Sequence, residues 1–286
     1  MSIRLTDVSY TYMPGTPYER QAIKNISLEI NRGEFVGIIG HTGSGKSTLV
    51  QHLNGLLKPT AGQVTVEGVN LHQKGTEAKK ARLKVGMVFQ YPEHQLFEET
   101  IAADIAFGPK NLGLDHEEID RRVREAMRFA GLDYEKFSGR SPFQLSGGQM
   151  RRVAIAGVVA LEPEYLILDE PSAGLDPRGR DEIFAEIRTL HKNTGITVIL
   201  VTHNMEEVAR MATRLIVMDR GGVSLDGNPV EIFQSGRDRL LDAGVDVPNV
   251  TNLMLQLRDR GLAADTTVLT ADEAANNIYA IAGRQN

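Results

Sequence analysis

Apolar and polar residues alternate through IRLTDVSYTY (residues 3–12), the period-two pattern of a half-buried strand. The pattern recurs in ISLEI (26–30), after which NRG turns the chain, so an antiparallel layer is expected here. FVGIIG (35–40) is instead continuously apolar and ends in glycine, as a strand buried on both faces of a parallel sheet does. A glycine-rich loop and a helix over KSTLVQHLNGLL (46–57) follow it. QVTVEGVNL (63–71) returns to alternation. KVGMVF, YLILDE and ITVILVTH read as further buried strands, with a helix over RDEIFAEIRTLHKN between the last two.

The stretch from about residue 96 to 160 reads mainly as helix. Within DHEEIDRRVREAMRFAGL (115–132), Asp115 and Glu118 have capping-box spacing. Ile119, Val123, Met127 and Ala130 follow the helical period, and Gly131 suits a helix stop. RLIVMDRGGVSLDG (214–227) predicts a hairpin turning at Gly221 and Gly222. After Gly236 two short helices broken near Pro248, and a last helix within ADEAANNIYAIA, form an expected appendage. The predicted organisation is α/β: a main domain over 1–236, with a helical subdomain at 96–160, and a helical C-terminal appendage over 237–286. Leu240, Leu241, Leu253, Leu255 and Leu257 are too many leucines for a free tail.

Composition narrows the function. Of 286 residues, 41% are hydrophobic and 24% charged, which suits a packed globular core. The net charge of −5 supplies no field for nucleic acid, so no nucleic-acid partner is expected. There is no cysteine, which excludes disulfides, thiolate zinc sites and cysteine nucleophiles. The amino-terminal residues carry no secretory pattern. The longest apolar run, VAIAGVVAL, is about half of what spans a bilayer. A membrane role is therefore expected to work through a partner.

GHTGSGKS (40–47) fits G-x-x-x-x-G-K-[ST] and lies between a buried strand and a helix, the context the motif requires. Gly40, His41, Thr42, Gly43, Ser44 and Gly45 can turn peptide N–H groups inward around phosphate oxygens, and the helix presents its N-terminus to the same charge. Lys46 would reach the β- and γ-phosphates of ATP, Ser47 would bind Mg2+, and Thr48 can add a contact. YLILDE ends in Asp169 and Glu170, at the carboxyl edge of a parallel sheet. Asp169 would hold Mg2+. Glu170, with no metal to satisfy it, is the natural general base for a water. His41, His52, His72, His94, His116 and His191 have no metal-ligand spacing.

LSGGQ (Leu145, Ser146, Gly147, Gly148 and Gln149) completes an ordered set. With Tyr12, the phosphate loop, Gln90 after VGMVF, LILDEP, AGLD (173–176) and His203 after ITVILVT, the chain resembles the ATP-binding cassette (ABC) ATPases over residues 3–230. That resemblance implies the P-loop fold of the family, a mixed sheet with an antiparallel layer and a helical subdomain. It implies that Tyr12 stacks on adenine, that Gln90 ligates metal and water and senses the γ-phosphate, and that His203 holds Glu170 and the water. LSGGQ would bind the γ-phosphate held by a second ATPase subunit, with Asp176 at the seam. A long coiled-coil insertion, as in chromosome ATPases, and a second cassette, as in translation ATPases, are both missing from the sequence.

Within that family, FQYPEHQLFEETIAADIAFGPKNLGL (89–114), LSGGQMRRVAIAGVVALEPEYLILDEPSAGLDPRGR and VPNVTNLMLQLRDRGL look like the energy-coupling factor (ECF) transporter ATPases. MRRVAIAG reads more like the second paralogue of a heterodimeric pair. The resemblance implies a peripheral protein at the cytoplasmic face of a bacterial or archaeal membrane. A paralogous or identical ATPase and a transmembrane scaffold subunit would be its partners, with a small membrane protein binding a vitamin or a transition-metal ion. Tyr91, Pro92, Glu93, Gln95, Glu98 and Glu99 are the expected surface for the membrane subunit. The alternative is the ATPase of another importer, for an amino acid or metal ion with a soluble binding protein.

Overall fold

The computed structural model describes residues 1–283, so the last three residues of the expected appendage lie outside it. Two sheets and twelve α-helices make up the described chain. Strands β1 (Ser2–Tyr12), β2 (Arg20–Asn31), β4 (Ala61–Val66) and β5 (Val69–Asn70) form an antiparallel sheet in the order β2-β1-β4-β5. Strands β3 (Phe35–Ile39), β6 (Val85–Val88), β7 (Tyr165–Asp169), β8 (Thr197–Val201) and β9 (Arg214–Asp219) run parallel, and β10 (Gly222–Gly227) closes the edge antiparallel to β9. The order of this second sheet is β10-β9-β3-β8-β7-β6.

Continuous apolar runs become central strands because both faces are covered. Tyr165 and Ile167 of β7 pack with Val36, Ile38 and the inner face of the antiparallel sheet. The alternate residues Leu166 and Leu168 pack with Phe35, Val198 and Leu200 against Ile183, Phe184 and Ile187 of helix α7 (Pro177–Thr194). Each fully buried aliphatic side chain of this kind contributes about 1.5–3 kcal/mol.

Helix α1 (Lys46–Leu53) follows the phosphate loop and ends at Leu53, four residues earlier than expected, because Gly55 adopts φ +76°. Helix α2 (Thr76–Leu83) precedes β6. The middle of the chain folds as helices α3 (Ile101–Asn111), α4 (His116–Phe129), α5 (Tyr134–Phe137) and α6 (Gly147–Val159) around their own core, which includes Ile105, Val123, Met127 and Val153. Asp115 caps α4 by accepting from the Glu118 N–H at 2.9 Å. Glu118 does not return the bond expected of a capping box; its carboxylate is drawn to Arg121 and Arg122.

The hairpin between β9 and β10 turns one residue earlier than expected. Arg220 and Gly221 occupy the two positive-φ positions, at 47° and 82°, while Gly222 is already paired with Asp219. The tip serves the phosphate loop: the Gly221 N–H donates to the Ser44 carbonyl at 3.0 Å.

Helices α8 (Met205–Met211), α9 (Pro229–Ser235), α10 (Arg237–Asp242), α11 (Asn249–Asp259) and α12 (Ala271–Ala282) complete the chain. One cluster joins Ile39, Val208, Leu215 and Val217 to Phe233, Leu240, Ala243 and Val247, so the chain passes residue 236 without leaving the core. Of the five appendage leucines, Leu240 and Leu255 are buried and Leu257 partly so, while Leu241 and Leu253 remain exposed. No described helix is long and apolar enough to cross a membrane.

Candidate functional site

The carboxyl ends of β3 and β7 open onto one cleft. Its walls are Tyr12, Arg20, Thr42, Gly43, Gly45, Lys46, Ser47, Thr48, Gln90, Asp169 and Glu170. β3 delivers the phosphate loop, β6 delivers Gln90 and β7 delivers the two carboxylates. The loop's glycines are required by what surrounds them. A Cβ on Gly40 would lie 2.3 Å from the Met218 carbonyl oxygen, and one on Gly45 2.7 Å from that of Ala22.

The residues fit a bound triphosphate and its metal. Among the described residues, the N–H groups of Thr42, Gly43, Gly45, Lys46, Ser47 and Thr48 have no protein acceptor. The Ser44 hydroxyl is buried and unpartnered. Lys46 Nζ donates to the carbonyls of Gly40 and His41, at 2.7 and 3.0 Å, curling over the loop it would use to reach phosphate. Burial lowers the Lys46 pKa, opposed by Glu170 and Asp169. Burial raises that of Asp169, opposed by its hydrogen bond from Ser47. Hydroxyl, carboxylate and the Gln90 amide together are hard oxygen donors of the kind Mg2+ takes.

Glu170 follows β7 with φ +51°, and His203 follows β8. The two meet: His203 Nδ1 lies 2.8 Å from Glu170 Oε2 and 2.9 Å from Oε1. The loops that carry them are joined below by Glu207 of α8, which is 6% exposed. Glu207 accepts from the hydroxyls of Ser172 and Thr202, both at 2.7 Å. Burial raises the Glu207 pKa against those two bonds. Tyr12 is braced rather than free. Its hydroxyl is 3.2 Å from the Thr48 hydroxyl, and its ring meets Tyr10 edge-on at 4.8 Å.

LSGGQ stands outside this cleft; none of Leu145 to Gln149 lines it. Ser146 caps α6, and Gln149 returns a bond to the Ser146 N–H at 3.1 Å, a complete capping box. The N–H groups of Gly147 and Gly148 stay without an acceptor among the described residues. Asp176 caps α7, accepting from the Gly179 N–H at 2.7 Å, and is exposed.

Two features were not legible in the motifs. Arg20, at the start of β2, reaches the Gly43 carbonyl at 3.4 Å; a lone strand-end arginine carries no sequence signal. The segment 244–249 faces the phosphate loop and His203 across a second cleft. There the His41 N–H donates to the Ala243 carbonyl at 3.2 Å, and the His41 ring lies 3.3 Å from Asp219, so His41 turns away from the phosphate cradle. Asn249 donates twice to Glu206, from its N–H and its amide, at 3.1 and 2.7 Å.

The stretch after Gln90 is more buried than expected. Tyr91, with φ +55°, opens a 3₁₀ turn over Pro92–Gln95 that packs on α6. Pro92 and Leu96 are buried. Pro92 is thus a floor of the stretch, not part of its exposed face. Glu93 is turned inward, paired with Arg151 at 2.9 Å. Tyr91, Gln95, Phe97 and Glu99 are exposed and Glu98 is half-buried. Phe97 and Phe107 form an exposed edge-to-face pair at 4.8 Å.

The family model described as ABC transporter matches residues 23–173. The chain is 54% identical over 281 residues to the energy-coupling factor transporter ATP-binding protein EcfA2 of Clostridium tetani, covering 98% of this chain and 97% of that one. It is 53% identical to the EcfA2 of Clostridium perfringens over the full length of both. Among solved structures, cbiO1 of Clostridium perfringens, part of the ABC transporter complex cbiONQ, superposes with a TM-score of 0.74. It is 37% identical and covers 91% of this chain and 96% of that one. The cassette MJ0796, in a dimeric post-hydrolysis state with ADP and Pi, gives a TM-score of 0.70 at 33% identity, over 79% and 98% of the two chains. The chain belongs to the ABC transporter family of ATPases, with the energy-coupling factor ATP-binding proteins among its relatives.

Proposed function

We propose that this chain is the ATP-binding and ATP-hydrolysing subunit of an ECF-type importer. It powers uptake of a vitamin or a transition-metal ion through separate membrane subunits. The observation that carries the reading is the meeting of Glu170 and His203 at the mouth of a phosphate cradle, on a chain similar over its whole length to EcfA2 proteins.

In this reading the free N–H groups of Thr42, Gly43 and residues 45–48, with the Lys46 ammonium, hold the phosphates, and Tyr12 packs on adenine. Ser47, Gln90 and Asp169 would hold Mg2+, which would supply charge neutralisation at the phosphates. Glu170 accepts a proton from the water whose oxygen attacks the γ-phosphorus as the bond to the ADP oxygen breaks. His203 donates its Nδ1–H to Glu170 and so fixes the carboxylate. The work is positioning and electrostatics.

LSGGQ, with two free peptide donors and an exposed serine, is a second anion cradle that faces away from its own cleft. It completes the site of a partner ATPase, and Asp176 lies at the shared seam. The exposed Leu241 and Leu253 suit a pairing role for the appendage. The face at Tyr91, Gln95, Phe97, Glu98 and Glu99 receives a membrane subunit's cytoplasmic segment, placing the protein peripherally at the cytoplasmic face of the membrane.

Affinity purification from detergent-solubilised membranes tests this. A second ATPase and a transmembrane scaffold should be recovered with the chain, and charge reversal at Glu98 and Glu99 should reduce recovery of the scaffold. Recovery of a soluble-binding-protein importer's permeases instead would favour the other importer class.

A further inference from the structure

Arg151 is 2% exposed, yet it lies neither in the nucleotide cleft nor at a helix end. It belongs to α6, the helix that LSGGQ opens. Its Nε and Nη2 donate to the two carboxylate oxygens of Glu93, at 3.1 and 2.9 Å. Its Nη1 donates to the carbonyl of Pro171 at 3.4 Å and to that of Ala173. The Tyr91 ring centroid is 5.9 Å from the guanidinium carbon.

One rigid, planar cation therefore ties together three segments: the turn after Gln90, the LSGGQ helix, and the loop between Glu170 and Asp176. A charge this far from water is retained only with partners that satisfy it. Guanidinium geometry is what allows it to grip a carboxylate at two points and two carbonyls with a third nitrogen; a lysine ammonium cannot span them.

We propose that Arg151 is a positioning residue for coupling, which makes residues 91–95, the LSGGQ helix and the 171–176 loop shift as one body. Displacement imposed at the 91–100 face then reaches Glu170 and Asp176 by a route that does not pass through Gln90. Glu93 is the internal anchor of that body and not a contact of the membrane subunit. This rests on the reading of 91–100 as the membrane-subunit face.

The test uses the full transport complex reconstituted in vesicles, with Glu93→Gln, Arg151→Met, Arg151→Lys and the double variant Glu93→Gln/Arg151→Met. Three quantities are read: scaffold recovered with the ATPase, ATP affinity, and ATP hydrolysed per substrate imported. The proposal expects normal recovery and ATP affinity, since neither residue lines the cleft. The ATP-to-substrate ratio should rise roughly tenfold, within the usual range of coupling between sites. The double variant should be no worse than the worse single one, as two halves of one link are, and Arg151→Lys should rescue only in part. A ratio within twofold of the wild type in Glu93→Gln and Arg151→Met, or additive losses in the double variant, overturns the proposal. Loss of scaffold recovery in Glu93→Gln also overturns it, by making Glu93 a direct contact. Scaffold recovery that survives charge reversal at Glu98 and Glu99 counts instead against the membrane-face reading.

Discussion

His203 Nδ1 lies 2.8 Å from the Glu170 carboxylate, although the two residues follow different strands, β8 and β7. A carboxylate only accepts, so the imidazole presents N–H at Nδ1. His203→Ala removes the group that fixes the base but nothing from the phosphate cradle. We expect turnover to fall by about 10²-fold or more, the scale of a lost positioned group, with ATP affinity within a few-fold of the wild type. Equal losses in affinity and turnover would assign His203 to ground-state binding.

Glu207 gives a pH dependence with a definite sign. Its folded-state pKa is raised, chiefly by burial. Its contribution to stability is therefore complete below the unfolded carboxyl pKa and is lost as pH rises through the raised folded value. Glu207→Gln removes this titration. Thermal unfolding across pH 4–8 should show the wild type losing stability relative to the variant as pH rises. A constant difference would contradict it.

The contact between the appendage and the phosphate loop has its own test. Gly244 has φ +67°, and a Cβ there would lie 3.0 Å from the His41 Cβ. Gly244→Ala adds strain of about 1–3 kcal/mol and pushes on the loop. ATP affinity should weaken measurably while Asp242→Ala, an exposed neighbour outside the cleft, leaves it unchanged. Unaltered affinity in Gly244→Ala would detach the segment from the nucleotide site.

The fold was legible wherever a period or a motif is local. Runs such as YLILDE and ITVILVTH became central strands because both faces are covered, and GHTGSGKS kept its strand–loop–helix setting. Less visible was what the tertiary fold alone decides. The sequence of FQYPEHQLFEET shows three glutamates but not that Glu93 has Arg151, fifty-eight positions later, as its partner. The hairpin turn fell on Arg220 and Gly221 because Gly222 is already paired with Asp219 in the ladder. The appendage looked separate by composition, while Leu240, Ala243 and Val247 share apolar neighbours with Ile39 of the phosphate-loop strand.

The central claim is that this chain hydrolyses ATP with Glu170 as base. Steady-state ATP turnover and ATP binding measured on Glu170→Gln, in the assembled complex, test it most directly. Turnover should fall to background while ATP still binds and holds the paired ATPases closed, because the amide keeps the shape of the carboxylate but accepts no proton. Turnover at the wild-type rate in that variant would contradict the account.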